Sequence, residues 1–185
     1  TAPLFMEDLK LLSRPVNYLT YSVAARDGRE HEVEVYFEAS PRWALDQPYQ
    51  QSASKGYEAD GLLYLKSGSK EQNILAKQGD DLRIDWGYFY MVAGKENTAY
   101  SVGNSTELRK NFVNGTLNSA SLEGEDSNGN MALVRSHGKV KNVTDKIMLG
   151  YDDIYSIQYF GTNLRPYWNS KGDRTIEAEM LAAYN

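Results

Sequence analysis

Short runs in which apolar and polar residues alternate recur along this chain of 185 residues. The clearest two are Asn17–Arg26 and His31–Glu38, where every second residue is apolar or aromatic. Such alternation is typical of a β-strand that has one face on a core and one in water. Asp27 and Gly28 lie between the two runs, and Asp-Gly favours a tight turn. The pattern therefore predicts two strands joined as a β-hairpin.

Further strands are predicted where short apolar runs are bounded by turn residues. These runs are Leu62–Lys66, Asn73–Gln78, Leu82–Ala93, Thr98–Val102, Met131–His137 and Lys146–Tyr151. The long polar segment Ser40–Asp60 is expected to be a loop, and so is Ser119–Asn130. About ten short strands separated by turn signals predict a mainly β fold, a two-sheet antiparallel β-sandwich.

Two stretches have helical rather than strand spacing. Asn104–Glu107 resembles a capping box, Leu108 and Phe112 lie four residues apart, and Asn114 is followed by Gly115. These signals predict one short internal helix. A second helix is expected after the possible capping box Ser170–Asp173, because three larger residues recur at intervals of four: Ile176, Met180 and Tyr184.

The domain organisation predicted from these elements is a β-sandwich over residues 1–168. Residues 169–185 are then the start of a linker helix that leads to a downstream domain. The apolar residues of the first 14 positions have no clear period and are expected to cover a sheet edge.

The segment Gly150–Trp168 contains six of the chain's 22 aromatic residues. A strand is predicted up to a break at Gly161, with polar groups on both of its faces. A carboxylate among aromatic rings needs a charged or amide partner. Arg165 follows the break, so we expect it to turn back and form a clamp with Asp152 and Asp153.

The other candidate binding residues are one carboxylate and four aromatic rings: Trp43, Asp85, Trp86, Tyr155 and Trp168. Asp85 shares a strand face with Arg83 and is expected to pair with it. The rings either line a surface on which a sugar stacks or fill the core and an interdomain face. Burial is the favoured interpretation, and Trp43 in particular is expected to plug one end of the sandwich.

Composition excludes several other functions. A net charge of −5 gives no electrostatic case for binding nucleic acid or an anionic membrane, and no apolar run is long enough to span a bilayer. With no cysteine, disulfides and thiolate sites are excluded, which fits an exported protein. His31 and His137 are expected to be solvated rather than metal ligands. Paired carboxylates could serve in glycoside cleavage or hold Ca²⁺, but a structural role is favoured. The sequence therefore predicts no catalytic residue, cofactor or metal.

Three segments resemble the N-terminal β-domain of glutaminase A-like proteins, and they occur in that family's order. They are Leu9–Thr20, Gly79–Tyr88 and Gly150–Trp168. The resemblance implies an exported hydrolase (periplasmic, cell-surface or secreted) that releases ammonia from L-glutamine. It also implies a strand before the segment Thr1–Arg14, so that residues 1–168 begin inside the β-domain or just after its first strand. A larger helical domain behind the sandwich is implied as the partner within the same polypeptide. The family provides no catalytic residue that can be transferred to these segments.

Three functions follow as hypotheses. The first is an accessory or scaffolding domain of a glutaminase, inactive alone. The second is a carbohydrate-binding sandwich. The third is the N-terminal domain of a glycoside hydrolase with a helical-barrel catalytic domain, in which Asp85 or Asp153 reaches the cleft. The sequence does not separate them, because a fold does not fix a function.

Overall fold

The computed structural model of the chain describes residues 4–80, 82–117 and 129–185. Within these ranges the strands are β1 (Val16–Ala24), β2 (His31–Ala39), β3 (Ser52–Ala59), β4 (Leu62–Ser69), β5 (Tyr88–Gly94), β6 (Thr98–Gly103), β7 (Asn130–Val140), β8 (Asn142–Asp152), β9 (Ile157–Tyr159) and β10 (Thr162–Leu164). The helices are α1 (Leu9–Ser13), α2 (Ser105–Val113) and α3 (Ile176–Tyr184). Short 3-10 turns cover Pro41–Ala44 and Tyr167–Asn169.

Two antiparallel sheets form the body of the molecule. One has five strands in the order β1-β8-β5-β4-β3, and the other has three in the order β2-β7-β6. Their facing sides share one apolar interior, to which both sheets contribute fully buried side chains: Leu65, Met91 and Ile147 from the larger sheet, Met131 and Leu133 from the smaller. The predicted two-sheet sandwich is confirmed, and so is the internal helix, α2, which Asn104 caps by accepting from the amides of Thr106 and Glu107.

The outer face of the five-stranded sheet forms a second apolar layer with α3. Ile176, Met180 and Ala183 are buried there against Tyr64 and Met148. The helix begins after Thr175, whose side chain accepts from the Ala178 amide, and not at Ser170–Asp173 as the sequence predicted. Its last turn is tied to the sheet, since Lys146 Nζ donates to the Tyr184 carbonyl oxygen at 2.7 Å. The predicted domain boundary after Trp168 stays a prediction.

The predicted hairpin of β1 and β2 is wrong, because the two strands belong to different sheets. β1 pairs with β8, and β2 pairs with β7. The Asp27–Gly28 turn carries the chain from one sheet to the other. The connection between β7 and β8 also crosses between the sheets and lies beside this turn. The two connections are joined by a hydrogen bond of 2.8 Å from the Ala25 amide to the Lys141 carbonyl oxygen. Alternation shows which side chains face inward, but it does not identify the neighbouring strand.

The expected loop Ser40–Asp60 contains an edge strand, β3, and a 3-10 turn. Its polar composition is misleading because Ser52 and Ser54 on β3 are buried. Ser54 and Ser67 share a hydrogen bond of 2.8 Å between their hydroxyl oxygens, which satisfies both groups. A strand whose buried residues are serines therefore has a polar sequence, like that of a loop.

Two predicted strands are absent or shortened in the described residues. Asn73–Gln78 is irregular, and Leu75 has a φ of 52°. The strand predicted over Leu82–Ala93 begins only at Tyr88, since the preceding backbone is bound by side chains instead of by a neighbouring strand. Ser69 Oγ donates to the Asp85 carbonyl oxygen at 2.6 Å, and Gln72 bonds to both the amide and the carbonyl of Gly87.

The ends of the chain also differ from expectation. The apolar residues at the start are exposed instead of covering a sheet edge: Leu4, Phe5, Met6, Leu9 and Leu12. The strand predicted over the aromatic segment stops at Asp152, and a separate two-stranded hairpin of β9 and β10 follows. Phe160 and Gly161, both with positive φ, form its turn, so the predicted break at Gly161 is confirmed. The expected loop Ser119–Asn130 lies almost entirely outside the described residues.

Candidate binding site

The residues selected from the sequence gather mostly at one end of the sandwich. Tyr88 at the start of β5 pairs with Asp152 at the end of β8, and this pairing brings the segments on either side together. Tyr151 donates its hydroxyl to the Trp86 carbonyl oxygen at 2.5 Å, and Trp86 Nε1 donates to the Tyr155 carbonyl oxygen at 2.9 Å. The segment before β5 and the segment at the end of β8 are therefore joined by hydrogen bonds from side chains to backbone carbonyl oxygens.

Gly87 lets these segments approach closely. Its φ is +77°, and a Cβ built on it would lie 2.2 Å from the Asp152 carbonyl oxygen. Only glycine combines this backbone with this contact. The backbones of the two segments therefore meet at Gly87.

Asp85 is the most deeply buried carboxylate of this end, with a relative exposure of 1%. Its Oδ2 accepts from Gln50 Nε2 and from Lys77 Nζ, both at 2.9 Å, and Lys77 also reaches Asp46 Oδ2 at 3.1 Å. The predicted partner, Arg83, is wrong: the strand that would have aligned it with Asp85 does not form. The hydrogen bond with Asp85 raises the pKa of Lys77, and that with Lys77 lowers the pKa of Asp46.

The other oxygen of Asp85, Oδ1, is buried and has no hydrogen-bond partner among the described residues. Asp85 lines a cavity of about 430 Å³ together with Tyr49, Lys70 and Asn73. A buried carboxylate oxygen without a donor is costly, because it loses water and gains nothing in exchange. The Asp85 carboxylate is therefore held through Oδ2 alone, by Gln50 and Lys77.

Trp43 does not plug the sandwich, contrary to expectation. It is 65% exposed and stacks on Phe89 with the ring centroids 5.3 Å apart. A shallow depression next to it, of about 370 Å³, is lined by Arg83 and Ile84 among others. The indole sits on the 3-10 turn Pro41–Ala44, whose buried Pro41 and Ala44 fill the interior in its place.

The predicted clamp of Arg165 with Asp152 and Asp153 is also wrong, since no ion pair joins these three described residues. Asp152 Oδ1 accepts from the Ile154 amide at 3.0 Å, and Asp153 Oδ2 accepts from Ser156 Oγ at 2.6 Å. Arg165 instead lies over the Tyr155 ring, 4.8 Å from its centroid. Burial, aided by the charge of Asp153, raises the pKa of Asp152, although the Ile154 amide, Lys66 and Arg165 oppose this shift.

Trp168 lies apart from the polar groups and is buried. It belongs to the 3-10 turn Tyr167–Asn169, which packs against α1. The Trp168 indole is therefore buried by packing and does not line an exposed surface. This agrees with the favoured interpretation of the aromatic residues, which was burial. Trp86 is partly buried and makes the bond to Tyr155 described above.

The sequence reasoning missed a polar cluster that joins three strands. The Tyr21 hydroxyl oxygen on β1 lies 2.9 Å from His137 Nε2 on β7. The same hydroxyl donates to Asp145 Oδ2 on β8 at 3.2 Å. Arg135 pairs with the same carboxylate at 2.8 Å. The His137 side chain is 10% exposed, so the expectation that it is solvated was wrong. Burial and the nearby Asp145 carboxylate raise the pKa of Tyr21 to about 12.

No sequence signal marks this cluster, because its members come from strands that meet only through the crossed connections between the sheets. The same holds for Tyr49, Gln50 and Lys77, which lie in irregular segments around Asp85. The described residues contain no group of three or more His, Asp or Glu side chains placed to hold a metal ion. Nor does any of their helices have the length and apolarity needed to cross a bilayer.

Fold and site together define a two-sheet β-sandwich domain with a helix on one outer face and a polar cavity at one end. The chain belongs to the family described as "Domain of unknown function (DUF5127)", whose model matches residues 1–185. It is also similar to Glutaminase A of Aspergillus oryzae (strain ATCC 42149 / RIB 40), with 27% identity over 172 residues. The match covers 86% of this chain and 24% of that protein, so the chain spans about a quarter of the length of this relative.

Proposed function

We propose that this chain is the accessory β-sandwich domain of a hydrolase related to Glutaminase A, and that it supports a catalytic domain elsewhere in the same polypeptide. One observation carries the proposal: the similarity covers most of this chain but only 24% of Glutaminase A. A β-domain ahead of a larger helical domain, in an exported protein, is what the sequence resemblance implies. L-Glutamine as the substrate and export from the cytoplasm belong to the same proposal.

The polar clusters of the described residues support a scaffolding role. Tyr21, His137 and Asp145 join three strands across the two sheets. Lys77 joins the segments that carry Asp46 and Asp85. Each of these side chains links segments that are far apart in the sequence, as expected of a scaffold.

An exposed apolar surface offers a place for the catalytic domain to pack. We call it the N-terminal apolar strip, and it comprises Leu4, Phe5, Met6, Leu9 and Leu12, each at least 40% exposed. The helix α1 within it contacts the 3-10 turn that carries the exposed Tyr167. Clustered exposed apolar side chains mark interaction surfaces more often than isolated ones do. We propose that the strip faces the helical domain.

The first test is an assay of ammonia release from L-glutamine by the purified 185-residue chain and by the longer polypeptide that contains it. The proposal predicts release by the longer polypeptide and none above the buffer blank by the chain alone. Turnover by the chain alone would contradict the accessory role. Release from neither would contradict glutamine as the substrate.

A further inference from the structure

The hairpin of β9 and β10 has one apolar and one polar face. Side chains directly opposite each other in a sheet lie on the same face, so the register assigns each residue to one of them. One face, which we call the hairpin face, carries three large apolar side chains and one methyl-bearing threonine: Ile157, Tyr159, Thr162 and Leu164. The opposite face is polar, and there Gln158 Nε2 donates to Asn163 Oδ1 at 3.0 Å.

The hairpin face is open to solvent on the described surface. Every residue of the two strands is exposed, and the hairpin forms a sheet of its own that no third strand joins among the described residues. A hairpin of two strands is at best marginally stable in water, and clustered exposed apolar side chains mark interaction surfaces. The hairpin face therefore has the properties of a contact surface.

Phe160 at the tip of the hairpin gives an independent indication. The φ angles of Phe160 and Gly161 are 45° and 78°, a turn geometry that favours Asn or Asp before Gly. A bulky residue in this conformation is strained, and such strain is typical of functional positions. Phe160 is also 90% exposed, so its ring gains little from packing within the described part of the chain. Burial against a partner would offset both costs.

The absence of charge on the hairpin limits the kind of partner. Residues 154–164 contain no Asp, Glu, Lys or Arg. Phosphate groups of nucleic acids or anionic lipids are recognised by basic side chains, which this segment lacks. An apolar protein surface is the partner that complements an uncharged aromatic hairpin.

The area of the hairpin face indicates that this partner is not a second copy of the chain. Its three large side chains and Phe160 are between 40% and 90% exposed. Two copies in contact would bury about 800 Å² at roughly 100 Å² for each large side chain, less than the roughly 1,200 Å² of specific complexes between separate proteins. A domain of the same polypeptide needs less contact area, because the covalent link keeps its local concentration high.

The hairpin also lies near the N-terminal apolar strip. Leu164 is three residues from Tyr167, a distance of at most about 11 Å along the chain. The 3-10 turn that begins at Tyr167 contacts α1, which carries Leu9 and Leu12 of the strip. One partner domain can therefore reach both surfaces.

On the basis of the accessory role proposed above, we propose that the hairpin face packs against the catalytic domain of the same polypeptide, with Phe160 as its anchor. The similarity covers only 24% of Glutaminase A, so such a polypeptide has ample protein outside the sandwich. Aromatic residues at the centre of a contact typically contribute most of its stability.

Thiol labelling measures whether the hairpin face is covered. The chain has no cysteine, so Thr162→Cys places its single thiol on the hairpin face and Asn163→Cys, the matched control, places it on the polar face. Each variant is reacted with N-ethylmaleimide as the 185-residue chain and within the longer polypeptide, and the peptide that contains the thiol is followed by mass spectrometry. Thr162→Cys should react about tenfold or more slowly in the longer polypeptide, whereas Asn163→Cys should react equally in both.

Phe160→Asn provides a second measurement with a different sign in the two proteins. Asn tolerates positive φ, so the change should not lower the melting temperature of the 185-residue chain. In the longer polypeptide it should lower the melting temperature by about 3 °C or more, because the anchor is lost. An equal fall in both proteins would mean that Phe160 packs within this chain, which contradicts the proposal.

Equal labelling of Thr162→Cys in the two proteins would overturn the proposal, and so would equal protection of both thiols. Protection in the 185-residue chain that increases with its concentration would assign the face to a second copy and overturn it as well. Labelling requires no catalytic activity, so its outcome is separate from that of the ammonia assay. An unprotected Thr162→Cys thiol in a polypeptide that releases ammonia would contradict the hairpin contact and leave the accessory role standing.

Discussion

Gly87 and Gly61 share a φ of +77° but have different surroundings. A Cβ on Gly61 would meet nothing within 4 Å, whereas one on Gly87 would lie 2.2 Å from the Asp152 carbonyl oxygen. Gly61→Ala should cost about 1 kcal/mol in unfolding free energy, the cost of a left-handed backbone. Gly87→Ala should cost more than about 3 kcal/mol, because backbone must also move.

Urea unfolding of the two glycine variants, followed by tryptophan fluorescence, measures the difference. The Gly61 variant is the control for the backbone conformation alone. Equal losses in the two variants would mean that the contact between Gly87 and Asp152 does not constrain this end of the sandwich.

Residue types in the candidate site were predictable, but their partners were not. The sequence indicated that Asp85 needs a partner, yet the partner is Lys77 and not Arg83, because the intervening backbone is irregular. Arg165 was expected to pair with a carboxylate and lies over the Tyr155 ring instead. Donors nearby in the sequence satisfy the two carboxylates: the Ser156 hydroxyl donates to Asp153, and the backbone amide of Ile154 donates to Asp152. Such local alternatives are invisible until the backbone path is known.

At the scale of elements, Glu38 joins strand β2 to helix α2 and to β7. Its carboxylate is buried and accepts from Arg109 Nε at 2.8 Å and from Asn130 Nδ2 at 2.5 Å. Burial alone would raise its pKa, but hydrogen bonds from Ser105, Asn130, Arg109 and Tyr36 outweigh that effect and lower the pKa from 4.5 to about 2. The charged form of Glu38 therefore stabilises the fold.

The sign of this effect fixes its dependence on pH. Because the pKa is lowered in the folded state, the stabilisation is complete above about pH 4.5 and is lost as the pH falls towards 2. Glu38→Gln keeps the shape and removes the charge. We expect the variant to be less stable than the parent by about 2–3 kcal/mol at pH 7, and by nearly nothing at pH 2.

Urea unfolding of the parent and Glu38→Gln at several pH values between 2 and 7 tests this link. Glu34→Gln changes an exposed carboxylate on the same strand. It is the control and should differ little from the parent at any pH. A stability difference for Glu38→Gln that does not shrink on acidification would show that its charge does not fasten α2 to the sheet.

Strands and helices marked by a local sequence pattern were predictable. A strand whose buried residues are polar was not, and neither was the pairing of distant strands. The alternation of β1 and β2 and the cap of α2 are visible in the sequence because each depends on residues close together in the chain. The edge strand β3 was missed because its inward residues, Ser52 and Ser54, are polar. The pairing of β1 with β8 was missed because the partners are more than a hundred residues apart.

At the scale of the whole molecule, the fold class followed from the number of short strands and turns, but the covering of the surface did not. The helix α3 closes one outer face of the larger sheet with buried apolar residues. The N-terminal apolar strip, in contrast, is open to solvent on the described surface. Hydrophobicity alone cannot predict that α3 is buried and the N-terminal apolar strip is exposed, since both segments are short and rich in apolar residues.

The central claim is that the strip packs against a catalytic domain of the same polypeptide. Leu9→Gln combined with Leu12→Gln tests it, because Gln keeps the helix propensity of α1 while removing apolar surface. Val113→Gln is the control. Val113 is 80% exposed and lies on α2, which contacts β6 and β7, whereas α1 contacts the 3-10 turn Tyr167–Asn169. Both changes should leave the melting temperature of the 185-residue chain within about 1 °C of the parent, as surface substitutions do.

The decisive measurement is the melting temperature of the longer polypeptide carrying the same changes, together with its release of ammonia from L-glutamine. The account predicts that the double variant lowers the melting temperature by about 3 °C or more and reduces ammonia release, because an interdomain contact is lost. Val113→Gln should change neither quantity. A double variant that melts and releases ammonia like the parent polypeptide would contradict the claim.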